Sequence, residues 1–196
     1  MVLLKKGIPY KVIPTLDNEI PDGIAQLPAL VHKGEVIIDP FNIAEFIERT
    51  YPHTSLTRQG IYSYQEVLEK TENFFPSLST FLKNKNDSED PVHQAAFESE
   101  LDIIDEILRT TPGQFLCGVE LTLADLYIVP QLFHAVAAIE HFKDLEFYHI
   151  ESEPTRPALE SYIAKMFDME EFNDKKAYYS VDQVIHGWKV LRGDAI

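Results

Sequence analysis

Phe115-Leu116-Cys117-Gly118-Val119-Glu120-Leu121-Thr122-Leu123-Ala124-Asp125 runs directly into Leu126-Tyr127-Ile128-Val129-Pro130, and its reading decides the fold. Thr122 stands where an N-cap hydroxyl accepts the backbone N–H three residues on. Asp125, at that third position, reaches back to the Thr122 N–H. Such a reciprocal box satisfies two orphan donors and sets a negative charge at the positive end of the helix dipole. The turn beyond it is almost wholly apolar, so the helix enters a core where water cannot satisfy its end. The cap is then worth about 1 kcal/mol or more. Thr122 and Asp125 read as a structural N-cap box, not as catalytic groups.

Working outward, the chain of 196 residues has room for one domain or two small ones. Its net charge of −15 argues against nucleic acid, whose phosphates demand a basic footprint, and against docking on anionic membranes. One cysteine, Cys117, excludes an internal disulfide framework and points to a reducing, cytoplasmic setting. No uninterrupted apolar run reaches the length of a conventional transmembrane helix.

Residues 1–52 carry short-period patterns. Tyr10–Pro14 reads as a strand, and Pro28–His32 with Glu35–Ile38 as a hairpin turned by Lys33-Gly34. Ile43, Phe46 and Ile47 recur at helical spacing until Tyr51-Pro52 ends the run. From residue 58 the pattern is helical almost throughout. Ile61–Lys83 reads as one long segment broken or kinked at Pro76, and residues 84–91 as a polar loop. Phe97, Leu101, Ile104, Ile107 and Leu108 form the next stripe, followed by the capped helix with Pro130 inside it. After a loop at 143–154 come a helix opened by Pro157 and a short one over Val184–Trp188. The expected architecture is a small α/β domain, 1–52, and an all-α domain, 58–196.

The Phe-Leu-x-Gly-x-x-Leu-Thr-Leu-Ala-Asp string resembles the entry to the central helix of the glutathione transferase C-terminal domain. Within that superfamily the chain is most similar to the plant-type dehydroascorbate reductases and their relatives, the chloride intracellular channel proteins. Lys6-Gly7-Ile8-Pro9-Tyr10-Lys11 resembles the link between the first helix and second strand. Leu27-Pro28-Ala29-Leu30 resembles the turn that holds a cis-proline. Asp39–Glu48 resembles the start of the third helix, Pro130–Phe142 the reductase continuation of the central helix, and Val184–Trp188 the reductase C-terminus. The resemblance implies a thioredoxin-like α/β domain followed by a helical one, with glutathione as co-substrate and a small oxidised substrate. It assigns Leu27, Pro28 and Asp39 to glutathione, Leu27 through its main chain.

The family's nucleophile is a cysteine at a helix start, where dipole and backbone donors lower its pKa. Here Met1–Lys6 matches the end of the first helix, so the strand and Cys-Pro-x-Cys/Ser turn before it are absent. The chain therefore reads as N-terminally truncated, with no residue to inherit the catalytic role. Asp39 is followed by Pro40, which has no hydroxyl and no N–H, so the pair also reads as a plain N-cap with an N1 proline. Cys117 reads as a buried packing thiol. His134, His141 and His149 match no metal spacing, the acidic run Asp87–Asp90 reads as a solvated loop, and Tyr178, Tyr179 and Trp188 as packing residues. Three functions stay open: a reductase-type glutathione enzyme represented without its cysteine, a non-catalytic binding protein on the same fold, and a channel-like protein that inserts on a cue such as low pH. The sequence does not resolve monomer from homodimer.

Overall fold

The computed structural model describes residues 1–15, 20–145, 147, 156–173 and 180–194. The chain divides into two compact units, Met1–Thr57 and Arg58–Ile196. The first holds α1 (Val2–Lys5), the strands β1 (Ala29–His32) and β2 (Glu35–Ile38), and α2 (Pro40–Thr50). The strands form an antiparallel hairpin in the register Ala29↔Ile38 to His32↔Glu35. Lys33 and Gly34 both take positive φ, as a tight two-residue hairpin turn requires. The α/β unit is thus built as a helix–hairpin–helix.

Lys6 fastens this unit. Its buried ammonium lies 2.6 Å from Glu48 Oε2 and donates to the carbonyls of Tyr51 (2.8 Å), His53 (3.0 Å) and Thr54 (3.2 Å). A cation is favourable at the carbonyl end of α2, and the carboxylate compensates its burial. Glu48 Oε1 in turn accepts the Leu56 N–H at 2.9 Å.

The segment 10–14 is not the expected strand. Pro9 and Pro14 bracket it without N–H groups, and the side chains of Val12 and Ile13 are exposed. Among the described residues no strand pairs with it, and Val12 and Ile13 bury too little surface to hold it extended.

The second unit is all-helical: α3 (Tyr64–Lys70), α4 (Phe74–Lys83), α5 (Asp90–Thr110), α6 (Leu123–Lys143), α7 (Pro157–Asp168), α8 (Glu170–Asn173) and α9 (Val181–Arg192). The break in the long segment falls at Thr71, not at Pro76. The Thr71 hydroxyl bonds back to the Val67 carbonyl at 2.8 Å and closes α3. Pro76 sits in the first turn of α4, where a missing N–H costs nothing. The last helix is also longer than expected, opening at a Ser180–Gln183 capping box. Most of the loop expected at 143–154, with His149, lies outside the described residues, as do Tyr178 and Tyr179.

At the centre runs α6, packed on α3, α4, α7 and α9. Apolar residues surround it on every side, which a helix tolerates only when buried all round. It is long and apolar enough to cross a membrane by composition, yet most of that window is buried inside the fold. Its apolarity serves a core. Phe74, Leu78, Phe81, Phe97, Leu101, Ile104 and Ile163 complete that core, each at most 1% exposed.

Asp105 shows how the helices lock. The N-terminus of α7 has no side-chain cap of its own. From α5, Asp105 Oδ1 accepts the Ala158 N–H at 3.1 Å and the Leu159 N–H at 3.0 Å, capping α7 from another helix. Arg156 secures the same junction through Asp102 at 2.7 Å.

Candidate functional site

In the first unit the hairpin register decides what comes together. Ala29 pairs with Ile38, so Pro28 and Asp39 lie at the same open end of the hairpin. There the Leu27–Pro28 peptide is cis, and Leu27 is exposed and outside the ladder. Asp39 holds φ 74° and ψ 128°, and its Oδ1 accepts the N–H groups of Phe41 and Asn42, both at 3.0 Å. With Pro40 opening the helix, the first-turn donors of α2 that would greet an anion are held by the protein's own carboxylate. This end of the hairpin presents a carboxylate and the bent main chain of residues 26–28. It presents no thiol.

In the second unit the Thr122–Asp125 cap is the centre of a buried polar knot. Asp125 is fully buried. Its Oδ1 accepts the Leu116 N–H and the Tyr162 hydroxyl, each at 2.9 Å. Its Oδ2 accepts the Thr122 N–H at 2.8 Å and the Thr122 hydroxyl at 3.0 Å. The return half of the box is loose, because the Thr122 hydroxyl makes no full bond to the Asp125 amide. Burial pushes the Asp125 carboxyl above its ordinary value, against the pull of the four donors. It pushes the Tyr162 phenol up as well, helped by the adjacent carboxylate.

Cys117 sits against this knot. Its Sγ lies 3.3 Å from the Thr122 hydroxyl, and the residue is 1% exposed. One hydroxyl proton serves one acceptor, and the carboxylate is the stronger. The Cys117 sulfur is the weaker of the two acceptors that the Thr122 hydroxyl faces. Burial first, then the charges of Asp125 and Glu66, push the Cys117 pKa to about 11, although the Thr122 contact pulls it down. A thiol so placed is neither ionised nor reachable at neutral pH. The motif's glycine serves the backbone. Gly118, at φ 151°, forms the bridge with Phe115 that turns the chain into the cap.

A cavity of about 420 Å³ opens where α6 and α9 end, lined in part by Lys85, Asp90, Lys143 and Arg192. Its cations already have partners. Lys143 meets Asp90 at 2.6 Å, while Lys85 (2.8 Å) and Arg192 (2.6 Å) share Asp194. Helix C-termini favour such cations, so the cluster acts as a clasp between the 84–89 loop and the chain end. Asp90 is accordingly not part of a solvated loop. It opens α5 and holds Lys143. His141 lies on this cavity, whereas His134 lies between α4 and α9. Among the described residues no group of His, Cys, Asp and Glu is arranged to hold a metal.

The sequence matches a known family. Residues 45–165, more than half of the chain, match the glutathione S-transferase C-terminal domain family. The chain belongs to this family. Among curated relatives, glutathione S-transferase DHAR2 of Arabidopsis thaliana is 27% identical over 96% of the chain and 85% of that protein. Chloride intracellular channel protein 3 of Mus musculus is 28% identical over 74% of the chain and 69% of that protein. Among solved structures, the dehydroascorbate reductase of Chlamydomonas reinhardtii superposes with a TM-score of 0.78 at 24% identity, covering 96% of the chain and 86% of that protein. The transferase fold is therefore shown for both units. Tyr162 and Asp105 escaped sequence reasoning because each acts across more than 30 residues, with no local signal to betray it.

Proposed function

We propose that this transferase-family protein is of dehydroascorbate reductase type. It takes glutathione as co-substrate against a small oxidised substrate, in a reducing compartment such as the cytosol. The observation that carries the reading is the open end of the hairpin, where the register sets Leu27-Pro28 beside Asp39. Reductase-named relatives that run through nearly the whole chain support it. The Leu27 main chain would pair with the cysteinyl part of the tripeptide. The free side of the Asp39 carboxylate would meet the γ-glutamyl ammonium, because its Oδ1 is already used by α2.

The reaction needs a thiolate that attacks a sulfur or carbonyl centre. The chain's single thiol, Cys117, is buried and held protonated. No competent thiol lies within these 196 residues, so what they contribute to the reaction is recognition of glutathione. That same observation favours a second reading, a non-catalytic binding protein on the transferase fold. Calorimetric titration of the purified chain with glutathione tests the binding claim. Weak binding, at the level of about 1 mM or some 4 kcal/mol, is expected, weakened further by Asp39→Asn. No heat up to about 10 mM glutathione would remove the glutathione reading.

A further inference from the structure

His134, Phe75 and Trp188 meet where α4, α6 and α9 join. The ring centroids are 6.1 Å apart for Phe75 and His134, 5.9 Å for Phe75 and Trp188, and 6.2 Å for His134 and Trp188. His134 stands edge-on to both neighbours, at 73° and 74°. Among the described residues His134 Nδ1 and Trp188 Nε1 are buried and have no hydrogen-bond partner. The cluster is thus a largely apolar junction, with Trp188 buried, His134 half-buried and Phe75 exposed, and a titratable ring is built into it. Helix α9 fully buries two side chains in the fold, Val184 and Trp188, and the larger of them touches that ring.

We infer that His134 is a proton-operated latch for the C-terminal helix: protonation of His134 releases α9 from α4 and α6 in mildly acidic solution. Phe75 faces the imidazole from α4 and Trp188 faces it from α9, and neither carries charge. Neither α6 nor the other helices packed on it bring a charged group that shifts His134. Burial alone holds its pKa below the ordinary 6.5. Protonation adds one N–H, so that Nδ1, buried and without an acceptor among the described residues, carries a proton as well as Nε2. With α9 undocked, the ring regains water and its ordinary pKa. The docked state therefore binds fewer protons than the undocked one. Docking is fully favourable above about pH 6.5 and weakens as pH falls through the lowered value. Among the described residues α9 is also held by buried Val184 near its start and, at its last turn and beyond, by the Arg192–Phe142 stacking at 4.5 Å and the Asp194–Lys85 pair.

Trp188 is the only tryptophan of the chain, so its emission reports this one junction. Intrinsic fluorescence of the full chain, followed from about pH 7.5 to 5, should shift to the red with a midpoint below 6.5, while far-ultraviolet circular dichroism keeps most of its helical signal. Hydrogen exchange, corrected for the intrinsic pH effect, should show protection lost over Val181–Arg192 and kept in α6. His134→Phe should abolish both changes. His134→Asn, which retains a polar but untitratable side chain, should fix emission at one value across the range, and keeps the test open if the larger ring disturbs packing. The same acid transition in both variants would overturn the latch. So would a wild-type protein whose α9 stays protected at pH 5, which would show that the two rings stabilise the imidazolium instead.

Discussion

The Tyr162 hydroxyl donates to Asp125 Oδ1 at 2.9 Å and so ties α7 to the first turn of α6 across 37 residues of sequence. The bond converts a local helix cap into a tertiary fastening. Asp125 then serves three parties: its own helix, the incoming Phe115–Cys117 turn through Leu116, and α7. Every lone-pair direction of the carboxylate is used, which is the condition under which a buried charge is tolerated.

Asp125→Ala should therefore cost several kcal/mol, on the order of 3–5, because it orphans the Leu116 and Thr122 amides and the Tyr162 hydroxyl together. Tyr162→Phe should cost about 1–2 kcal/mol, and the double variant less than the sum, since both remove one shared bond. Urea unfolding of the four proteins gives this cycle. Strict additivity would show that Tyr162 merely packs.

The half of this network that is legible in the sequence is the half that obeys helical spacing. Thr122 and Asp125 stand three apart, so N-cap geometry follows from backbone donors alone. Tyr162 and Asp105 carry comparable weight, but their partners are chosen by how α5 and α7 pack, and no local period encodes that. The opposite error occurred at Tyr10–Pro14, where a β-like composition lacks a ladder. At Pro76 a helix breaker proved harmless because it falls among residues whose N–H groups have no acceptor anyway.

Asp39 offers a test in which two effects separate. Asp39→Ala removes both cap bonds while leaving φ at 74°, and should destabilise the first unit by about 1–3 kcal/mol. Asp39→Gly removes the same bonds but relieves the backbone, so its loss should be clearly smaller. Thermal unfolding followed by circular dichroism ranks the two. Equal losses for the two variants would mean that the cap alone matters and the backbone conformation costs nothing.

Cys117 should resist thiol reagents in the native protein at pH 8 and react fully once urea unfolds the chain, as burial and a pKa near 11 require. The labelling rate should follow the unfolded fraction. Rapid native labelling would place the thiol at the surface and reopen its candidacy as a nucleophile.

Asp90 gives the pH dependence a sign. Burial raises its carboxyl, but the bonds from Lys143 and Asn84 outweigh it and hold the net value below the ordinary 3.8. A lowered carboxylate stabilises the fold above its unfolded pKa and loses that contribution as pH falls through the folded value. The penalty of Asp90→Asn should thus be greatest near neutral pH and shrink in acid below about pH 4. Lys143→Met should bring acid unfolding to higher pH. Circular dichroism across the acid limb reads both, and a penalty independent of pH would refute the pairing.

The central claim is that this transferase-family chain recognises glutathione yet has no competent thiol. It is tested most directly by ascorbate formation from dehydroascorbate and glutathione, measured for the wild-type chain and Cys117→Ala at equal concentration. The expected result is a rate no higher than the uncatalysed background for both proteins, under conditions where calorimetry shows glutathione bound. Catalysis by the wild type that disappears in Cys117→Ala would contradict it.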